Sequence, residues 1–239
     1  MKAGGRSAHT RRRPPDGNAL RAAVLGANDG LVSNFSLVMG VAGASTGGDA
    51  VLVAGIAGLL AGSMSMALGE WLSVQSSREL YAREVALQAE AIERDPDGEA
   101  EALAALYRAK GVPEADARML AGHIIRGDRQ AAVDTAAREH LGIDPRELGG
   151  SAWTAAFTSF ALFGVGAAVP ILPFLLTDGL PAIAASAALS GAMLFGLGAA
   201  ITIMTGRHPI LAGLRQLGFG MVAAAITYGI GTLLGTVVS

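Results

Sequence analysis

The feature that most constrains this chain is the uneven placement of its charged side chains. Residues 151–239 contain only three, Asp178, Arg207 and Arg215, whereas residues 77–150 contain 25. Charged residues make up 16% of the 239-residue sequence, compared with about 25% in a typical soluble domain. This average combines long uncharged segments with one conventional hydrophilic segment. The charge pattern therefore argues against one or two soluble domains and favours a membrane protein.

Five uncharged runs are long enough to cross a bilayer, because a helix needs about 20 mostly apolar residues to span the hydrocarbon core. We predict transmembrane helices near 20–44, 50–76, 151–177, 181–205 and 209–238. Pro170 and Pro173 should kink or unwind the far end of the third helix. The predicted fold is an all-α membrane protein with five transmembrane helices and a helical insert between the second and the third.

The placement of Lys and Arg predicts the orientation of these helices. With five spans, the basic tail 1–19, the insert 77–150 and the turn at Arg207 lie on one side. The two short loops on the other side contain no Lys or Arg, so the basic side is expected to be cytoplasmic. We therefore predict a disordered cytoplasmic tail (1–19), membrane segments 20–76 and 151–239, and a cytosolic insert. The expected location is the lipid bilayer of the inner cell membrane.

Several other classes of protein are disfavoured by the sequence. The chain has no cysteine, which excludes disulfides, thiolate metal sites and cysteine nucleophiles. A net charge of −2 gives no electrostatic basis for binding nucleic acid. A signal peptide over residues 1–44 would carry Asn28 and Asp29 in its apolar region, where they fit poorly. A membrane-embedded metal-dependent enzyme remains an alternative, although the sequence lacks Glu-x-x-His and Gly-x-Ser-x-Gly motifs.

Two acidic residues lie inside predicted spans, Asp29 in the first and Glu70 in the second. A charge at the bilayer centre costs about 2.5–3.5 kcal/mol on insertion scales, so an intramembrane acid is by default a candidate functional residue. Met66 lies one helical turn deeper than Glu70 on the same face. Because the first two spans are antiparallel neighbours joined by a short loop, we expect Asp29, Met66 and Glu70 to meet at one depth. A non-transporting regulatory protein would leave Asp29 unexplained.

This donor set combines two carboxylates with a thioether. Carboxylates suit Mn²⁺ and similar hard ions, whereas a thioether shifts the preference towards softer transition metals. A buried carboxylate can also carry a proton, which would couple metal release to proton uptake. Two simpler interpretations stay open: Glu70 extends to the interface, and Met66 only fills a gap between helices. Gly26 and Gly30 bracket Asp29 and are compatible with a first span that packs against the same span of a second copy.

Three segments of the sequence resemble one known family. Residues 28–43 (NDGLVSNFSLVMGVAG), 63–73 (SMSMALGEWLS) and 205–217 (TGRHPILAGLRQL) are similar to motifs of the vacuolar iron transporter family. The resemblance implies a five-span homodimer, joined through the first transmembrane helix, that exchanges Fe²⁺, and often Mn²⁺, for protons. It places Asp29 and Met66 at metal-binding positions and Glu70 at an acidic position beside them. Iron or manganese would then be the transported substrate, with no fixed cofactor.

The insert is predicted to contain three or four helices, of which the first continues the second span as far as Arg94. Pro96 should separate it from the next helix, and Gly142 should cap the last one. In the family this insert binds metal through glutamates. Glu99 and Glu139 fall at acidic positions of that pattern.

Other positions of the insert depart from the family pattern. Where further ligands are expected, this chain has Gln88, Ala91, Ala102, Thr135 and Ala136. Glu90 and Glu93 have the right spacing but lie two residues out of register. We therefore keep Glu90, Glu93, Glu99 and Glu139 as candidate ligands, with an ordinary solvated acidic face as the alternative.

Overall fold

The computed structural model describes residues 16–44, 47–142, 151–206 and 208–238, and within these ranges it contains helices and no strand. The described residues form eight α-helices, which are α1 (Asp16–Ala44), α2 (Gly48–Arg94), α3 (Pro96–Ala109), α4 (Glu114–Ile125), α5 (Arg129–Ala136), α6 (Ala152–Ala168), α7 (Gly179–Thr205) and α8 (Pro209–Val238). Most of the predicted basic tail lies outside the described residues, as does Arg207. The all-helical class predicted from the sequence is confirmed.

Three of the described helices, α2, α7 and α8, are long and apolar enough to cross a membrane. A fourth apolar helix, α6, is shorter. The described residues thus contain membrane-type helices on both sides of the charged segment, and the count of five spans stays a prediction. Helix α2 runs through 47 residues without a break, which confirms the continuous helix predicted as far as Arg94.

Proline and glycine set several helix ends, as their backbone chemistry requires. Asp95 caps α3 through a 2.9 Å hydrogen bond from the Gly98 N–H, with proline at the first position of the helix. After α5 the chain continues into a wider, π-helical turn, which ends at Gly142 with φ 68°. Helix α6 ends two residues before Pro170, and Pro173 lies in a 3-10 turn. The unwinding predicted at these two prolines is confirmed.

The chain divides into two compact units. The first contains the described residues of 1–67 and 157–239. Its core is built on α1, whose Leu31, Phe35 and Val38 are completely buried. Phe174 and Leu194 pack in the same cluster. Helix α1 is therefore a central element of this unit.

Glycines let other helices approach the backbone of α1 closely. A methyl group at Gly30 would lie 2.9 Å from the carbonyl carbon of Phe163 in α6, and one at Gly166 would lie 2.9 Å from the backbone nitrogen of Leu31. A methyl at Gly231 of α8 would lie 3.0 Å from the backbone nitrogen of Ala44 in α1. A real Cβ atom would clash at each of these positions. The helices approach this closely because glycine has no Cβ, as in other small-residue helix crossings.

These contacts correct one interpretation of the sequence. Gly30 faces α6 of the same chain, and a methyl at Gly26 would also find its nearest neighbour in α6, at 3.5 Å from the Cβ of Leu162. The pair that brackets Asp29 therefore serves packing within one chain rather than packing against a second copy. The spacing identifies a close-packing face, but it does not identify the partner helix.

The second unit comprises residues 68–156. Its core consists mainly of alanines from α3, α4 and α5, together with Ile92, Leu103 and Ile125. Small side chains at these positions allow short helices to pack closely. Trp71 and Trp153 contact each other in this unit, with ring centroids 5.9 Å apart and an interplanar angle of 57°.

Candidate functional site

A cavity of about 330 Å³ lies between α1 and α2, with Phe163 of α6 among its lining residues. Helix α1 contributes one face and an adjoining polar residue, and α2 contributes residues spaced by single helical turns. The lining residues are Asp29, Ser33, Asn34, Leu37, Gly58, Gly62, Ser65, Met66 and Phe163. All of them belong to the first unit. The cavity therefore concentrates polar atoms on helices that are otherwise apolar.

Asp29 and Met66, which were predicted from the sequence to lie together, line this same cavity. Asp29 is exposed in the single chain, and Met66 is half-buried. The cavity thus holds a carboxylate from one helix and a thioether from its neighbour. These two donor types together suit a divalent transition metal better than Mg²⁺ or Ca²⁺, which take oxygen ligands almost exclusively.

Three further oxygen donors in the cavity were not predicted from the sequence. They are the side chains of Ser33, Asn34 and Ser65. The hydroxyl of Ser33 donates a 2.6 Å hydrogen bond to the backbone carbonyl of Asp29, which leaves its oxygen lone pairs free to accept. Ser and Asn are common where helices pack together, so their presence in the sequence does not by itself indicate a metal site.

Asn34 is held tightly by its amide group. Its Nδ2 donates one hydrogen bond of 3.2 Å to the Gly55 carbonyl of α2 and another of 2.6 Å to the Ala167 carbonyl of α6. The residue is 2% exposed, and its Oδ1 is buried with no hydrogen-bond partner among the described residues. Asn34 therefore joins three helices at the wall of the cavity.

Asn28, the neighbour of Asp29, is held by the last helix. Its Oδ1 accepts a hydrogen bond from Nε2 of Gln216 in α8. This bond fixes α8 beside α1 at the level of Asp29. The available sequence signal for Gln216 was its position beside Arg215, in a polar pair near the start of the mostly apolar helix α8.

Glu70 is not among the residues that line the cavity. It lies four residues after Met66 on α2, is half-buried, and belongs to the second unit. Its proposed place beside Asp29 and Met66 consequently stays a prediction from the sequence.

The four candidate ligands of the insert do not converge in the structure. Glu93 pairs with Arg129, and Glu139 pairs with Lys110. Glu99 accepts a 2.7 Å hydrogen bond from Gln88, and Glu90 is exposed on α2. Within the described ranges, no group of three or more His, Asp or Glu side chains is arranged to hold a metal ion. Glu93, Glu99 and Glu139 thus engage separate partners.

Glu139 also acts on a neighbouring phenol. Burial raises the pKa of Tyr107 above its ordinary value of 10.0, and the negative charge of Glu139 raises it further. Lys110 lowers this pKa, so it opposes the other two effects. The Lys110 ammonium lies 6.0 Å from the centre of the Tyr107 ring. Tyr107, Lys110 and Glu139 thus form one electrostatic cluster in the insert.

Comparison with known proteins gives a consistent result over almost the whole chain. The model of the VIT family matches residues 20–232. The chain is 31% identical to Vacuolar iron transporter 1 of Arabidopsis thaliana over 224 residues, which cover 92% of this chain and 88% of the relative. It is 34% identical to Vacuolar iron transporter of Acanthamoeba castellanii over 219 residues, which cover 90% and 78% of the two chains. The similarity includes both the cavity helices and the charged segment.

Proposed function

The chain belongs to the VIT family, and on this premise we propose that it exports a divalent transition metal, Fe²⁺ or Mn²⁺ or both, from the cytoplasm in exchange for protons. Its relatives are named iron transporters rather than enzymes. The observation that carries the proposal is the cavity in which Asp29 and Met66 lie together on apolar helices. Iron or manganese is substrate in this scheme.

The donor set explains how one site can serve both metal and proton. The Asp29 carboxylate binds either a cation or a proton, so the two compete for one group. The Met66 thioether adds a ligand that favours transition metals over the far more abundant Mg²⁺. Metal release into a more acidic compartment would follow from protonation of Asp29. Each transport cycle would then return protons to the cytoplasm.

The proposal includes the predicted topology. We propose that the protein crosses the inner cell membrane with five transmembrane helices, and that its N-terminus and its insert lie in the cytoplasm. Supporting this, apolar helices occur on both sides of the charged segment. The absence of Lys and Arg from loops 45–49 and 177–180 favours the same orientation.

We further propose that two copies meet through α1. Leu25, Asp29, Ser33 and Leu37 form an exposed stripe along this helix. The helix packs on its other sides against its own chain. An apolar groove of about 390 Å³ between α1 and α8 continues from Leu37. A second copy on this stripe would enclose Asp29 and shield it from lipid.

The dimer can be tested by cross-linking, since the chain has no cysteine of its own. Leu25→Cys introduces a single thiol on the stripe, and Leu60→Cys introduces one on α2 at nearly equal exposure (50% and 49%). Oxidation in membranes should yield a covalent dimer for Leu25→Cys and little for Leu60→Cys. Equal yields for both variants would contradict contact through α1.

Transport can be tested with purified protein in liposomes that contain a metal-sensitive dye. Fe²⁺ or Mn²⁺ should enter only under an imposed pH gradient. Asp29→Ala should abolish uptake while the protein still elutes as an assembled species. Asp49→Asn, which neutralises another exposed acid in the first turn of α2, should leave uptake unchanged. If neither metal crosses the bilayer at any gradient, transport of these ions is refuted.

A further inference from the structure

We propose that the side-chain carbonyl oxygen of Asn34 is a neutral ligand for the cation in the cavity between α1 and α2. Since it adds a third donor beside Asp29 and Met66, the proposal rests on the proposed function. Asn34 lines the cavity and is 2% exposed. Its Oδ1 has no hydrogen-bond partner among the described residues.

The hydrogen bonds of Asn34 identify which of its two side-chain amide atoms is left without a partner among the described residues. Nδ2 lies 3.2 Å from the Gly55 carbonyl oxygen and 2.6 Å from that of Ala167. Both neighbours are acceptors only, so the NH₂ group must occupy this position. Turning the amide over would place its oxygen against two other oxygens. The carbonyl is therefore fixed in one direction, with both of its lone pairs unused.

An unpaired buried oxygen calls for a physical explanation, because nearly all buried polar groups have partners. Amide carbonyl oxygens are ordinary ligands of hard divalent cations. Since Asn34 is uncharged, it adds coordination without adding charge to the site.

Gly58 gives a second, independent indication. A methyl group at this position would lie 2.6 Å from Oδ1 of Asn34 and would also clash with the end of the Leu37 side chain. Leu37 can turn away at little cost, whereas Asn34 is held by two hydrogen bonds. Glycine thus keeps a side chain away from this buried oxygen, and Gly58 itself lines the cavity.

Two variants test this role in different ways. Asn34→Ala removes the oxygen together with the two amide hydrogen bonds. Gly58→Ala keeps the asparagine and places a methyl group against its oxygen. The matched controls are Ser186→Ala, which removes a buried 2.8 Å hydrogen bond to the Pro170 carbonyl, and Gly196→Ala, whose methyl group would enter open space.

Two properties are measured for every variant. One is equilibrium binding of Mn²⁺ to the purified full chain in detergent, and the other is uptake of Mn²⁺ and Fe²⁺ by proteoliposomes. Both test variants should weaken Mn²⁺ binding by about tenfold or more. Uptake of Mn²⁺ should fall more than uptake of Fe²⁺, because the remaining thioether favours the softer ion. Both controls should bind and transport as the wild type does. If Asn34→Ala does not fold, Gly58→Ala still decides the question.

The outcomes separate this inference from the proposed function. Unchanged Mn²⁺ binding in Gly58→Ala, or an equal loss for both metals, overturns the ligand role of Asn34 even if the wild type transports. If the wild type binds Mn²⁺ but transports neither metal, transport is refuted. Weakened Mn²⁺ binding in both test variants then still supports the ligand role of Asn34. A wild type that neither binds nor transports Mn²⁺ refutes both.

Discussion

Replacing Gly30 by alanine should force α1 and α6 apart. The new methyl group would lie 2.9 Å from the carbonyl carbon of Phe163 and 3.0 Å from its Cα. Ordinary contacts of a Cβ begin at 3.4 Å, so the carbonyl carbon must retreat by about 0.5 Å and the Phe163 carbonyl oxygen, which lies nearer still, by more. A helix backbone has no rotamer with which to do so. Overpacking of this kind typically costs about 1–3 kcal/mol.

Gly26 supplies a matched control one turn earlier on the same helix. A methyl group there would meet its nearest neighbour at 3.5 Å, which is ordinary contact. Gly26→Ala should therefore be neutral or stabilising, since alanine in a helix is favoured over glycine by about 0.5–1 kcal/mol. Both variants replace glycine by alanine in the same helix, so they differ mainly in how closely the new methyl group contacts α6.

Thermal unfolding in detergent measures the difference. For a chain of this size about 1 kcal/mol corresponds to roughly 2–4 °C in Tm, so Gly30→Ala should melt clearly below Gly26→Ala. Because Gly30 adjoins Asp29, metal uptake by Gly30→Ala should also fall. Equal melting temperatures for the two variants would show that α6 does not approach α1 as closely as the structure indicates.

Three further predictions concern single side chains. Met66→Leu should weaken Fe²⁺ uptake more than Mn²⁺ uptake, and an equal loss for both metals would argue against sulfur as a ligand. Glu99→Gln combined with Glu139→Gln should change uptake little, since both acids already bind other residues; a large drop would restore the insert as a metal site. Glu139→Gln alone should lower the pKa of Tyr107, seen as phenolate absorbance at lower pH and assigned with Tyr107→Phe. In the wild type the stabilisation from the neutral phenol is complete below pH 10.0 and is lost as the pH rises through the raised pKa. A phenolate titration unchanged by Glu139→Gln would contradict this coupling.

The sequence predicted features that depend on local backbone chemistry or on strong hydrophobic patterns. Pro170 and Pro173 cannot continue a regular helix, and Gly142 readily adopts a positive φ. Regular helix is accordingly interrupted or ends at or next to each of them. The joint position of Asp29 and Met66 could also be predicted, because a short loop forces the first two helices to be antiparallel neighbours. Both residues line one cavity.

Features that depend on which helix lies opposite could not be predicted in this way. The spacing of Gly26 and Gly30 marks a close-packing face, but α6 occupies that face rather than a second copy of α1. Asn34 is one of several small polar residues in α1, and its role becomes visible only when the carbonyls of α2 and α6 are placed around it. Likewise, Glu139 pairs with Lys110 across 29 residues of sequence, a distance over which spacing gives no information.

The glycine contacts of α1 also affect how easily this helix can be displaced. Where Gly30, Gly166 and Gly231 lie, backbone faces backbone, and few interlocking side chains would have to disengage if α1 slid along its axis. Interdigitated leucines would oppose such sliding with a series of steric barriers. The position of α1 along its axis is therefore set away from these crossings, by the buried side chains of Leu31, Phe35 and Val38 and by the directional hydrogen bonds of Asn28 and Asn34.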